Sequence, residues 1–404
     1  MSVTKADFPF GPVPPAEALQ IMRAIRTDRP MTKVSFPIGG DCWMVHRHET
    51  CRAVLEDRRF VRKPFTEGRP VPYAFEFPAF LTQTLQFMDP PDHTRFRRLV
   101  SKAFTLRRVE RLRGKVQEVA DELVDAMVDT GPPANLVDSF ALRLPIRVIG
   151  DMLGVPEEGR ANFVQWSHAM LATSGMTEEE VTDAMTSLYL YLQELMTRKR
   201  TDPQDDLLSA LVAARDADDQ LTDDEIIQIA MLLVGGGFDN TANFIELGVQ
   251  ALLADPAQHA ALMADIDGVI PTAVEEILRH GGFALGREMT GSAGLVPFVA
   301  SEDVELDGVL IKAGDAVAVD LATANHDDDV FTGSDAFDVT RARNPHLTLS
   351  HGIHHCLGAP LARLELQVGI ATLFRRLPEL KLAGEPVYLD GVLTGGMTDL
   401  PITW

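Results

Sequence analysis

The chain has 404 residues, 46% of them hydrophobic and 24% charged, the balance of an ordinary globular protein. A formal net charge of −22 excludes a nucleic-acid partner, which requires a basic footprint, and three cysteines are too few for a disulfide framework. Met1-Ser-Val-Thr-Lys lacks the apolar core of a signal peptide, and no apolar run approaches the ~20 residues that span a bilayer, so a cytoplasmic location without a membrane partner is expected.

Taken in chain order, apolar residues recur at three- and four-residue spacing near 16–27, 48–56, 93–129, 157–172, 177–198, 205–215, 223–253, 256–265, 271–280 and 359–376, which predicts helices. Strand patterns are fewer: Met31 to Pro37, Cys42 to Val45, Val304 to Leu310 and Ala316 to Asp320. The third of these reads as a hairpin turning at Asp307-Gly308. Cys42 and Cys51 have apolar neighbours and read as small buried hydrophobes. Between Arg95 and Lys115 nine basic residues (Arg95, Arg97, Arg98, Lys102, Arg107, Arg108, Arg111, Arg113, Lys115) face one acid, Glu110, which suits either a solvated helix face or a docking patch for an acidic partner. No repeat, low-complexity tract or long linker interrupts the chain. The expectation is a mainly α protein with small peripheral β sheets, forming a single large domain over residues 1–404.

The segment from Thr222 onward is unusual. Thr222-Asp-Asp-Glu225 is a capping box, and the apolar pattern that follows stops only before Asp255-Pro256. That predicts one helix of roughly thirty residues, about 45 Å long, running through a protein interior. Its middle reads Gly235-Gly236-Gly237-Phe238-Asp239-Asn240-Thr241. Each interior glycine costs about 1 kcal/mol relative to alanine, so the trio predicts a close approach or a distortion of the backbone. The alternative is a break into two helices. Asp239 and Asn240 place polar groups where partners are needed.

Cys356 lies in His351-Gly-Ile-His354-His355-Cys356-Leu-Gly358-Ala-Pro360, just ahead of a predicted helix whose dipole favours thiolate over thiol. Gly352 and Gly358 let the backbone turn tightly around the sulfur. Three readings of the residues stay open: a plain buried cysteine, a zinc site with His351, His354 and His355, and a thiolate ligand to heme iron. Zinc favours separated ligand pairs, and adjacent residues such as His355 and Cys356 rarely share a tetrahedral metal. A heme-bound thiolate pushes electron density toward dioxygen.

These residues resemble the cytochrome P-450 family, and the resemblance covers nearly the whole chain. The family's loop Phe-Gly-x-Gly-x-His-x-Cys-x-Gly is similar to Leu349-Ser350-His351-Gly352-Ile353-His354-His355-Cys356-Leu357-Gly358, which departs at its first two positions. Glu276-Ile-Leu-Arg279 looks like the family's Glu-x-x-Arg ion pair, and Asp89-Pro-Pro-Asp-His93-Thr-Arg-Phe-Arg97 like the start of its C helix. The resemblance implies the P-450 fold, with the long central helix over heme b, and Cys356 as the metal ligand. It further implies His93, Arg97 and His354 on the heme propionates, with Gly236 and Gly358 against the cofactor. His93 and Arg97 stand at i,i+4, on one helical face, and a guanidinium suits a carboxylate. Many bacterial relatives carry Pro-Arg-x-Ala, with the arginine on a propionate, where this chain has Pro297-Phe298-Val299-Ala300; Arg287 is the substitute nearest in sequence.

What the resemblance implies for function is oxidation of a small molecule with dioxygen and two electrons, drawn from NAD(P)H through ferredoxin reductase and a ferredoxin that docks near the basic segment. Asp239, Asn240 and Thr241 are the expected catalytic group. The family usually has threonine after the acid, where its hydroxyl helps hold a proton-delivering water; Asn240 offers an amide instead. Hydroxylation is therefore expected alongside oxidative coupling or cyclisation, with a non-catalytic heme sensor as a third class. The family's variable loop over the pocket corresponds to Phe60–Phe87, which holds Phe60, Phe65, Tyr73, Phe75, Phe77, Phe80 and Phe87. Those rings either contact substrate or simply anchor the loop. With a faint likeness of Val54-Leu-Glu-Asp-Arg-Arg-Phe60 to relatives that oxidise cyclic dipeptides, they point to an aromatic, peptide-derived natural product.

Overall fold

A computed structural model describes residues 6–7, 24, 31–73, 81–101, 104–172, 176–218, 221–284, 295–389 and 396–404. In chain order its main elements are β1 (Met31–Phe36), β2 (Gly40–Val45), α1 (His48–Glu56), β3 (Phe60–Val61), α2 (Asp92–Ser101), α3 (Arg113–Thr130), α4 (Arg143–Leu153), α5 (Glu157–Leu171), α6 (Glu178–Thr201), α7 (Leu207–Asp218), α8 (Asp223–Gly237), α9 (Asp239–Ala254), α10 (Pro256–Ala264), α11 (Ile266–Ala284), β4 (Leu295–Ala300), β5 (Val304–Leu306), β6 (Val309–Ile311), β7 (Ala316–Asp320) and α12 (Ala359–Arg376). The predicted helix near 16–27 lies outside the described residues, apart from Ala24.

Contacts divide the chain into two compact units, Met1–Leu99 with Ala260–Ala359, and Val100–His259 with Pro360–Trp404. The first is built on a six-stranded sheet ordered Ala6–Asp7, β1, β2, β7, β4, β3. β1 and β2 pair antiparallel from Met31↔Val45 to Phe36↔Gly40, while β2 and β7 run parallel, Cys42 opposite Ala316. Side chains from one face, among them Trp43, Val45, Phe298, Val317 and Val319, pack with Cys51, Val54 and Leu55 of α1 into one core. Cys42 and Cys51 are fully buried, and burial pushes both thiols well above the usual range, as befits inert hydrophobes. β5 and β6 form the expected hairpin, with Asp307 and Gly308 both at positive φ in the turn.

The second unit is helical, α4, α5, α6 and α8 packing on one another, with short strands Ala134–Asn135, Lys381–Leu382 and Pro401–Thr403 in a small sheet. Two predictions change here. The stretch 93–129 is not one helix but α2, a short turn of helix at Leu106–Glu110, and α3. The thirty-residue helix is interrupted: α8 ends at Gly237 and α9 begins at Asp239, with Phe238 between them at φ −113°. The glycines let α8 lie close on α5 and α4: a Cβ on Gly235 would run into the Met170 sulfur, and one on Gly237 would come within 2.8 Å of Ile149 Cδ1, so those side-chain ends would have to shift. The Thr241 hydroxyl donates back to the Gly237 carbonyl at 3.3 Å, a bond that competes with the helical ladder. The predicted capping box at Thr222 forms, and a second, Thr177 with Glu180, starts α6. No described helix is long and apolar enough to cross a membrane.

Candidate active site

Cys356 sits three residues ahead of α12, half-buried, in a loop fixed by its own backbone: Cys356 N–H donates to Leu349 O at 2.7 Å and Ser350 N–H to Leu347 O at 2.7 Å. Gly352 has φ +66°, and a Cβ there would collide with the Leu55 carbonyl, so the first glycine of the loop is obligatory. Ser350, where the family pattern has glycine, adopts φ +60° regardless. The sequence departs from the pattern at this position; the backbone keeps the left-handed conformation that glycine would take most easily. Gly358 makes no such demand, as a Cβ on it would stand 4.0 Å from the Cys356 sulfur.

Around this loop the first unit gathers four basic side chains. Arg97 donates from Nη2 to the His355 carbonyl, and the neighbouring Cys356 charge partly offsets the burial that lowers its pKa. The His93 and His354 rings lie with centroids 4.5 Å apart. His93 is 2% exposed, and neither ring nitrogen has a hydrogen-bond partner. Burial, then Arg97 and Arg62, push its pKa down to about 4. Burial and the same cations act in that direction on His354. The fourth is Arg62, also 2% exposed, which burial pushes down to about 9. Buried like charges with no carboxylate bonded to them are costly unless an anion neutralises them. The unsatisfied His93 imidazole, the His354 ring beside it and two guanidinium groups, next to a thiol ahead of a helix N-terminus, fit a planar cofactor carrying two carboxylates.

His351 is engaged with Glu56 rather than with Cys356, and among the described residues no group of three or more His, Cys, Asp or Glu could hold a metal ion. That removes the zinc alternative. Glu276 and Arg279 form the expected ion pair, both fully buried, with Arg279 Nε and Nη2 donating at 2.8 and 2.7 Å. Arg341, Asn344 and the Asp338 amide complete the carboxylate's partners. Burial alone would raise the Glu276 pKa, but these donors hold it below the usual range.

Gly236, Asp239, Asn240 and Thr241 lie in the second unit. Gly236 is exposed, and a Cβ on it would meet nothing within 4 Å, so packing inside its own unit does not explain this third glycine. Asp239 is buried and pairs with His168 Nε2 at 3.6 Å. Asn240 follows on the first turn of α9. The aromatic segment behaves as an anchor where it is described: Phe60, Phe65, Tyr73 and Phe87 are all buried, while Phe75, Phe77 and Phe80 lie outside the described residues, as does Arg287.

Sequence reasoning missed four polar residues. Arg62 follows Phe60 at the two-residue period of a strand, which puts a charge on the buried face and was a readable signal. His168 carried none. Glu246 accepts from the Met397 amide at 3.0 Å, and burial raises its pKa well above the usual range. Glu365, flanked by leucines on α12, is fully buried with neither oxygen hydrogen-bonded; burial raises its pKa too, only partly opposed by the nearby Thr241 hydroxyl.

Comparison with known proteins identifies the scaffold. The Cytochrome P-450 family model matches residues 161–278 and 290–383. The nocardicin C N-oxygenase of Nocardia uniformis subsp. tsuyamanensis is 42% identical over 400 residues, 98% of each chain. The mycinamicin IV hydroxylase/epoxidase of Micromonospora griseorubida is 42% identical over 384 residues, 94% of each. The crystal structure of a cytochrome P-450mel with biaryl coupling reactivity superposes with a TM-score of 0.89 at 36% identity, covering 99% of this chain and 100% of that one. This chain belongs to the cytochrome P-450 family, and is a heme b-binding monooxygenase with the P-450 fold that receives its electrons from NAD(P)H by way of redox partners.

Proposed function

We propose that Cys356 would supply the thiolate ligand to the heme iron, that His93, Arg97 and His354 would hold its propionates, and that Gly236 and Gly358 would leave room for the cofactor. The observation that carries this reading is the basic group, buried or half-buried and with no carboxylate bonded to it among the described residues, beside a cysteine ahead of the α12 N-terminus. When bound, the heme supplies the activation of dioxygen by two electrons. The chain's own residues do the rest. The Asp239 carboxylate holds a proton in exchange with His168 Nε2, the Asn240 amide orders water, and the Thr241 hydroxyl, bonded to Gly237 O, fixes the start of α9. Anaerobic reduction under carbon monoxide tests the ligand. We expect a thiolate-type, red-shifted Soret band, and its loss in Cys356→Ser with heme retained; a wild-type spectrum of the histidine-ligated type would refute the assignment.

The substrate we propose is an aromatic, peptide-derived natural product, oxidised in the cytoplasm with electrons delivered by a ferredoxin and its reductase. Two relatives named above act on nocardicin C and mycinamicin IV, which supports a natural-product substrate. A second reading, oxidative coupling without oxygen insertion, is favoured by Asn240, whose amide cannot rotate one hydroxyl proton into a relay, and by the biaryl-coupling reactivity of one structural relative. Type I spectral shifts against cyclodipeptides and aromatic metabolites identify the ligand. Product mass then separates gain of one oxygen from loss of two hydrogens.

A further inference from the structure

Arg62 is the basic residue for which neither the fold nor the reading above has a use. It follows β3, is almost wholly buried, and has no carboxylate partner among the described residues. Its Nε donates to the Pro297 carbonyl at 3.3 Å and its Nη1 to the Gln86 carbonyl. The nearest acid, Asp89, is committed elsewhere: its Oδ2 accepts the main-chain amides of Arg62 and Lys63 at 2.8 and 2.7 Å. The guanidinium carbon stands 4.3 Å from the centre of the Phe298 ring and 5.9 Å from that of Phe87. Phe298 is itself 3% exposed. The side chain is therefore held by two backbone carbonyls and two aromatic faces. Stacking of this kind orients a planar guanidinium while leaving edge N–H groups free to bind an anion.

Two carbonyls neutralise no charge. A buried guanidinium beside Arg97, His93 and His354 is held in place at a cost that only a counter-ion removes. We propose that Arg62, clamped on Phe298, is a further cofactor-binding residue that pairs with a carboxylate of the heme, and that Phe298 is its platform rather than a lost ligand. The inference rests on the placement of the heme beside His93, Arg97 and Cys356 given above. It assigns the propionate contact to β3 and its continuation, so Arg287 is not needed for it.

The test compares full-length wild type, Arg62→Met and Arg62→Lys, each loaded with protoheme or with heme dimethyl ester, whose propionates carry no charge. Heme loss to an excess of a heme-scavenging globin is followed by absorbance. With protoheme, we expect R62M to lose the cofactor roughly 10- to 100-fold faster, the range of a charge-assisted hydrogen bond in a buried site, and R62K by an intermediate factor. With the dimethyl ester, the three proteins should lose it at the same rate. An equal acceleration with both hemes would make Arg62 a packing residue and overturn the proposal, as would no acceleration with either. Failure of the underlying site reading shows separately, as a wild-type carbon monoxide spectrum without the thiolate signature.

Discussion

At the scale of single residues, His168 beside Asp239 is a group whose charge state responds to pH. The Asp239 carboxylate, buried at the start of α9, raises the pKa of His168, and partial burial of the ring opposes it only in part. The sign follows from linkage. A histidine whose folded pKa is raised contributes stability that is fully present below its unfolded value of about 6.5 and fades as pH rises through the elevated folded value. With 38% of the His168 side chain exposed, solvent screening keeps that contribution small. The larger consequence is for proton supply. NMR titration of His168 should give a pKa above the ordinary histidine range in wild type and a fall back toward it in Asp239→Asn. The same variant should shift the alkaline limb of the turnover–pH profile to lower pH. A His168 titration unmoved by D239N would remove the histidine from the proton path.

Elements add what no single side chain shows, because the Cys356 loop depends on two left-handed residues that the sequence treats differently. Gly352 needs its φ of +66° and also needs the absence of a Cβ, which would strike the Leu55 carbonyl at the end of α1. Ser350 needs only the left-handed φ of +60°. Gly352→Ala should therefore cost about 2 kcal/mol or more. Ser350→Gly should be neutral, since relief of about 1 kcal/mol of backbone strain offsets the added freedom of glycine in the unfolded chain. Denaturant midpoints of the two variants against wild type decide this; equal losses would mean that the loop does not depend on these backbone angles. The contrast also marks the reach of sequence reading. Periodicity located α1, α12, β7 and the β5–β6 hairpin because each has a strong internal pattern. It overran the break at Phe238, because the apolar spacing stays in phase on both sides of the glycines. Helix α4 went unseen because proline at 145 and the helical turn at Val137–Ala141 before it obscure its start. Cys356, His354, His93 and Arg97 were legible through a motif. Arg62 had only the two-residue spacing from Phe60 to mark it, and Glu246 and Glu365 had nothing, since a lone charge becomes informative only once its burial is known.

At the scale of the whole molecule, charge and cooperativity each make a claim. On a chain of net charge −22, Arg107, Arg108 and Arg111 form an exposed basic run, and no acid pairs with them among the described residues. If an acidic ferredoxin docks there, Arg107→Glu with Arg108→Glu should raise the KM for it several-fold at low ionic strength. The effect should shrink above about 0.15 M salt, where the Debye length is about 8 Å, while heme content stays unchanged. An unaltered KM would move the docking face elsewhere. Cooperativity is the less obvious claim, because 404 residues exceed the size at which two-state unfolding is usual and contacts divide the chain into two units. Yet the boundaries fall inside α2, after Leu99, inside α10, after His259, and at the first residue of α12. α2 has ten residues and α10 nine, so unfolding one unit alone would leave helical stubs far below the ~12–15 residues that can persist unsupported in water. The chain should then unfold as one domain, and Glu276→Gln puts that to the proof. The substitution lies wholly in the first unit and leaves Arg279 and Arg341 without their carboxylate, a loss of about 3 kcal/mol. Trp43 reports on the first unit and Trp166 on the second, so variants keeping one or the other tryptophan read the two separately. A single domain requires E276Q to lower both midpoints by the same amount. If the Trp166 midpoint stays at its wild-type value while that of Trp43 falls, the two units are separate cooperative blocks.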